Sequence, residues 1–371
     1  MDFATVVPPY VAKPLQLRPF RAVMLAPRSV GDPASARTLS RPYRDDADRL
    51  AEWISSGRAS RDEAPALYLH EYTAGGLTVR GLVGALDVAR RAHDAPSRAV
   101  WPHEAVHPEQ AAELATRMQR LDLNPAPILL VHDGSDALRT LVADAAQPSP
   151  AWTYVDRADQ RHRIWTIRDP HLLHAIEAEL ATSHCLLADG HHRYAAYLAL
   201  QERHPGTPWD CGLAMLVDQR DTPLFLGAIH RTLAGAGLGV LEQVARAQGA
   251  QVDVLPRHAA LSALDTQTAV ATDGSTWMSI RPMHRPDRAI VEWLHHDLVS
   301  GLPEAPTIAH HHHVEDALGA AGPANPAVLL PSPAFGDVRA IVETGRLLPE
   351  KATSFQPKPS VGVLMRPVHD G

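Results

Sequence analysis

The chemistry-bearing residues of this chain gather in three short segments. The sharpest is Leu186-Leu187-Ala188-Asp189-Gly190-His191-His192-Arg193-Tyr194. Its pattern predicts an apolar strand ending at Ala188, a tight turn at Asp189-Gly190 and a helix from His191. Glycine supplies a backbone geometry that other residues resist, and Asp189 is expected to cap the helix by accepting from its first N–H groups. A helix N-terminus exposes unpaired donors and partial positive charge, which favour an anion. His191, His192 and Arg193 in the first turn run against the usual acidic preference there, a conflict that a bound phosphate or carboxylate would resolve. Arg193 would then give two parallel hydrogen bonds to its oxygens. The alternative is a structural turn whose histidines satisfy buried backbone groups.

The second segment is Trp101-Pro102-His103-Glu104. A carboxylate beside an imidazole suits a general base, with Glu104 taking the proton and His103 orienting it; an ordinary polar surface pair is the alternative. The third is Pro349-Glu350-Lys351-Ala352-Thr353-Ser354-Phe355-Gln356-Pro357-Lys358-Pro359. Of 35 basic residues only Lys13, Lys351 and Lys358 are lysine. Lysine offers a compact, rotating ammonium that arginine's planar fork does not imitate. Lys351, Lys358 and Thr353 are therefore candidate phosphate contacts, against the alternative of a plain C-terminal strap.

Other motifs are absent: the chain holds no Walker A, GxGxxG or GxSxG sequence. Adjacent histidines project to different sides of a helix, so His191 and His192 lack the spacing of a zinc pair. His310 to His313 reads as an exposed run before a helix, and no metal ligand is assigned.

These segments need a framework, and 371 residues are ample for a core. The first forty residues, rich in proline and arginine, read as loop or as a strap held loosely to the body. A helix is expected over about 45–56, capped by Asp45 or Asp46, with Leu50, Trp53 and Ile54 on one face. Two strands around Ala74-Gly75-Gly76 form a hairpin, and a helix covers 108–121 behind a proline and a glutamate. A strand is expected over 126–131. The polar stretch 133–159 is the best internal boundary, a long surface loop within one domain being the alternative, and strands and helices alternate beyond it. The organisation expected is an N-terminal extension over 1–17, an α/β part over 18–140 and a second over 150–371. Hairpin and alternation together indicate an α+β (mixed α/β) class.

A net charge of −7 argues against a nucleic-acid partner. Cys185 and Cys211 are too few for a disulfide framework, and a reducing cytoplasm is the expected setting. No run approaches the roughly 18 apolar residues of a membrane span. Oligomeric state is not encoded in any feature noted above.

The segments 187–194, 102–104 and 348–358, with Pro19-Phe20-Arg21-Ala22, resemble the domain of unknown function 1015 family from about Arg18 to Pro367. Ala352 stands where the family pattern looks like serine, and Pro8-Pro9-Tyr10 lacks the aspartate of its Pro-Pro-Tyr-Asp element. The DGHHR turn is also similar to that of free-serine kinases with a ParB/sulfiredoxin-like fold. The resemblance implies such a core with added α/β elaboration, ATP or ADP held at the turn, Mg²⁺, and phosphoryl transfer to a small hydroxylated metabolite, free L-serine first. Asp189 or Glu104 would hold the ion. A non-catalytic nucleotide-binding regulator and a metal-dependent hydrolase are the competing readings.

Overall fold

The computed structural model describes residues 5–40, 46–283 and 288–369. The chain forms two compact units, Met1–Leu224 with Pro357–Gly371, and Phe225–Gln356. The mixed α/β class holds in both.

The first unit is built on a nine-stranded mixed sheet. Its strands are β1 (Leu17–Arg18), β2 (Leu67–Ala74), β3 (Leu77–Asp87), β4 (Val100–Pro102), β5 (Ile128–His132), β6 (Trp152–Val155), β7 (Arg161–Ile167), β8 (Cys185–Asp189) and β9 (Cys211–Asp218). The order is β4-β8-β5-β9-β3-β2-β7-β6, with β1 added beside β3. The β2–β3 hairpin closes with Ala74 opposite Leu77, and Gly75 and Gly76 both take positive φ, as a two-residue turn between twisted strands requires. Strands β4 and β8 run parallel, as do β5 and β9; the other pairs are antiparallel.

Helices α1 (Pro33–Ser40), α2 (Asp46–Ser55), α3 (Pro108–Leu121), α4 (Asp136–Ala145), α5 (Pro170–Ala181) and α6 (His191–Arg203) belong to this unit. The expected cap of α2 at Asp45 or Asp46 lies outside the described side chains. Leu67, Leu69, Leu130, Leu187, Tyr194 and Leu216 lie in the core beneath α3 to α6. Each fully buried aliphatic side chain contributes about 1.5–3 kcal/mol. Tyr197 of α6 lies so close to Gly212 that a β-carbon there would fall 2.1 Å from its ring.

Three expectations change here. The stretch 133–159 is not the boundary between units: it carries α4 and β6, and β6 pairs with β7 in the main sheet. It reads as linker because β6 is an edge strand with alternate residues exposed. Residues 150–224 therefore share one sheet with 18–140. Nor is the N-terminal part loose, because Val11, Leu15 and Leu17 sit in the core and Phe20 is buried, and α1 interrupts the stretch read as loop. Finally, residues from Pro357 onward return to the first unit. Arg366 is buried there and donates to Asn124 Oδ1, Cys211 O and Pro208 O.

The second unit has a six-stranded antiparallel sheet. Its strands are β10 (His230–Ala234), β11 (Gln251–Val254), β12 (Ala269–Thr272), β13 (Trp277–Arg281), β14 (Thr307–His311) and β15 (Ala327–Leu329), in the order β11-β13-β12-β15-β10-β14. The histidine run enters β14, paired with β10, and ends before the helix Val314–Ala320. Among the described residues no group of three or more His, Cys, Asp or Glu side chains could hold a metal ion. Both cysteines are buried and free. No described helix is long and apolar enough to cross a membrane.

Candidate functional site

The turn between β8 and α6 is made by Gly190, whose φ of 90° lies in the left-handed region. It is the N-cap of α6, and no side chain caps the helix. Asp189 does not take the capping role expected from sequence. Its carboxylate accepts from Arg193 Nη2 at 2.7 Å and from Lys358 Nζ at 2.5 Å. The reason is electrostatic: two cations within reach outweigh neutral backbone donors. Burial would raise the Asp189 carboxyl, but Arg193, Lys358 and His191 together hold it below its ordinary value. Arg193 spends its other arm on Pro127 O at 2.5 Å, so in this state its fork is not turned to an external anion.

The two histidines of the turn act on backbone. His191 Nε2 accepts from the His103 N–H at 3.3 Å, and His192 Nε2 accepts from the His107 N–H at 3.1 Å. Both bonds tie the segment after β4 to the head of α6. An accepting Nε2 puts the His191 proton on Nδ1. Burial, with His103 next, pushes the His191 pKa down to about 3. A neutral His191 ring removes its own share of the conflict with the dipole that the sequence posed, and Arg193 is met by Asp189.

His103 is buried, and its Nδ1 lies 2.7 Å from Leu187 O. A carbonyl only accepts, so Nδ1 donates the proton in that bond and Nε2 is the ring nitrogen turned away from it. That Nε2 lies 3.6 Å from Glu104 Oε1. Glu104 itself is half-buried, with that imidazole nitrogen beside it. The His103 and His191 rings meet edge to face at 4.5 Å.

Sequence reasoning gave Tyr194 no role, yet it stands in the same run. Its hydroxyl donates to Pro9 O at 2.8 Å and accepts from the Val11 N–H at 3.0 Å. The segment Pro8-Pro9-Tyr10 is thereby fastened to α6, and Val6 pairs with Val106 beyond Glu104. The N-terminal strap, the 101–107 segment and the head of α6 thus converge. Beside Asp189, Arg193 and Lys358 opens a cavity of about 380 Å³, walled by Leu114 and Met118 of α3, with Arg117 at its side.

The lysine-containing segment divides between the units. Lys358 belongs to the first and meets Asp189. Lys351 and Thr353 belong to the second. There the buried Arg231 donates to Lys351 O at 2.8 Å, and Thr353 lines a separate cavity of about 430 Å³ with Trp293, Ile341 and Arg346.

No curated protein matches the chain. Among solved structures it is similar to a mutant of a free serine kinase in complex with ADP, at 16% identity and a TM-score of 0.40, covering 71% of this chain and 88% of that one. A free serine kinase in complex with AMP is similar at 15% identity and a TM-score of 0.40, with the same coverage. SbnI with C-terminal truncation from Staphylococcus aureus is similar at 11% identity and a TM-score of 0.43, covering 72% of this chain and 84% of that one. The family model described as Protein of unknown function (DUF1015) matches residues 17–301, and with them every strand of the main sheet and the DGHHR turn. The chain belongs to the DUF1015 family.

Proposed function

We propose that the first unit is a nucleotide-dependent kinase site acting on a small hydroxylated metabolite, with free L-serine the leading acceptor. The observation that carries the reading is the meeting of Lys358 and Arg193 on the Asp189 carboxylate at the head of α6. Two distant motifs supply the cations, and a short carboxylate holds them at a helix N-terminus whose N–H groups at His191, His192 and Arg193 precede the first intrahelical bond. A nucleotide phosphate competes with Asp189 for those cations. Phosphoryl transfer depends chiefly on positioning and charge stabilisation, which this arrangement offers.

Glu104 is the base for the acceptor hydroxyl in this reading. His103, with Nδ1 fixed on Leu187 O, turns Nε2 toward Glu104 and receives the proton from it. His191 holds the 103 backbone in place. The cavity beside Asp189 takes the apolar part of the nucleotide, ATP or ADP.

Mg²⁺ fits the donor chemistry, since it is commonly held by one or two carboxylates with substrate phosphates completing the shell. Asp189 or Glu104 would hold it, and the ion would neutralise phosphate charge.

The test is incubation of the full chain with ATP or ADP, Mg²⁺ and a panel of hydroxylated amino acids and sugars, with phosphorylated product read by mass spectrometry. A new phosphoester supports the reading. Nucleotide binding without any product favours a non-catalytic nucleotide-binding regulator, and absence of both overturns the reading.

A further inference from the structure

Beside the segment that carries Lys358 stands a buried polar column that the kinase reading does not use. On the main sheet His162 of β7 lies directly opposite Tyr72 of β2, and His70 lies two residues before Tyr72 on the same face. His162 Nε2 is 3.1 Å from Asp156 Oδ2, and His70 Nε2 is 3.0 Å from His162 Nδ1. Burial would raise the Asp156 carboxyl, but Ser360, His162 and the N–H groups of Gln160 and Ala158 hold it below its ordinary value. Burial also pushes both imidazoles below their ordinary value, so the rings are neutral beside an ionised carboxylate. The donors therefore point one way, from His70 to His162 and from His162 to Asp156. Apolar side chains of like volume often serve a core as well, whereas a bonded polar chain fixes one arrangement.

What this column fixes is the perch of Lys358. Residues 357–360 join no strand, and Pro357 and Pro359 have no N–H to offer. Side chains hold the segment instead. The Tyr72 hydroxyl donates to Pro357 O at 2.6 Å. Gln160 Nε2 donates to Lys358 O at 3.0 Å, and its Oε1 accepts from the Ser360 N–H at 3.2 Å. Both holders are set by the column. The Tyr72 and His70 rings lie 5.2 Å apart, and Asp156 Oδ1 accepts from the Gln160 N–H at 2.9 Å. Burial, with the charge of Asp189 next, lifts the Tyr72 phenol above its ordinary value, which keeps the hydroxyl a donor and places it within the field of the site.

We propose that Tyr72 and Gln160, carried by the Asp156–His162–His70 column, are positioning residues that aim the Lys358 ammonium at Asp189. Both act through the backbone on either side of Lys358. This deepens the kinase reading and rests on it for the phosphate that Lys358 would meet.

The test exploits the scarcity of lysine. The full chain, whose only lysines are Lys13, Lys351 and Lys358, is acetylated with an N-hydroxysuccinimide ester, and each site is timed by peptide mass spectrometry. Tyr72→Phe keeps the ring, and Gln160→Met keeps the length of the side chain. In each, Lys358 should label about threefold faster or more, the scale of one lost hydrogen bond, while Lys13 keeps its rate. An unchanged Lys358 rate overturns the assignment, and so does an acceleration shared by Lys13, which would mean general loosening. Calorimetry with ADP adds a double-mutant cycle. Tyr72→Phe should weaken ADP about three- to tenfold in the wild-type background and leave it unchanged where Lys358 is already alanine. Equal losses in both backgrounds would show Tyr72 acting by another route and overturn the assignment. ADP that does not bind the wild type sinks the kinase reading alone, because the labelling rates still decide the role of Tyr72 and Gln160.

Discussion

Lys358 Nζ lies 2.5 Å from Asp189 Oδ1, joining two motifs 169 residues apart on one carboxylate. With 46% of the lysine side chain exposed, the pair adds little to stability. Its value is in what the ammonium can do once it leaves Asp189. Lys358→Ala is therefore expected to leave the urea midpoint nearly unchanged and to weaken ADP binding about tenfold or more, the scale of one charge-assisted hydrogen bond. Calorimetry on both proteins measures it, and equal affinities would remove Lys358 from the site.

Glu104→Gln tests the base. A positioned proton acceptor contributes about 10²- to 10⁴-fold in rate. Turnover should fall by that range while ADP affinity is retained, and parallel losses in both would reassign Glu104 to binding.

Gly190→Ala tests the turn. At φ 90° a β-carbon would sit 3.0 Å from Arg193 Nε and Ile128 Cγ2. Holding a residue with a side chain in the left-handed region costs about 1–2 kcal/mol, and the crowding adds to it. Urea denaturation should show the loss; an unchanged midpoint would mean that the turn relaxes freely.

The His191 ring gives stability a pH dependence. Its folded pKa, about 3, lies below the roughly 6.5 of an unfolded histidine. The unfolded chain therefore binds a proton between these values that the folded chain refuses. Stability from the neutral ring is complete above about pH 6.5 and declines as pH falls toward 3, by about 1.4 kcal/mol per pH unit for one group. His70 and His162, both buried, shift in the same direction, with burial the first cause in each. His191→Gln keeps an acceptor for the His103 N–H without a titrating ring. Its urea midpoint should lose less between pH 7 and pH 5 than the wild type does; identical slopes would contradict the assignment.

Tyr194→Phe removes both hydrogen bonds to the strap while keeping the ring in the core. A loss of about 1–2 kcal/mol is expected, with faster protease cleavage within residues 5–12. Cleavage at the wild-type rate would show that packing alone holds the strap.

Much of the framework was legible because its signals are local. Gly75-Gly76 announced the hairpin, Pro108-Glu109 the start of α3, and Gly190 the turn before α6; the structure places all three there. What escaped was long-range. The alternative of histidines satisfying buried backbone groups describes His191 and His192, but spacing gives no hint that those groups are the N–H of His103 and His107. Asp189 read as a cap because its two cation partners include one from residue 358. The strap read as loose because prolines hide its buried residues, Val11 and Leu15, from any periodicity. Lys351 and Lys358 read as one group, yet the chain passes from one unit to the other between them.

That passage governs the order in which the protein can be completed. During synthesis the whole of residues 225–356 must leave the ribosome before Lys358 can reach Asp189 or Arg366 can reach Asn124. Until then the main sheet has its strands but neither the last cation of the site nor the buried guanidinium that fastens the tail. Assembly of the site is thus a late event, timed by the translation of the intervening unit.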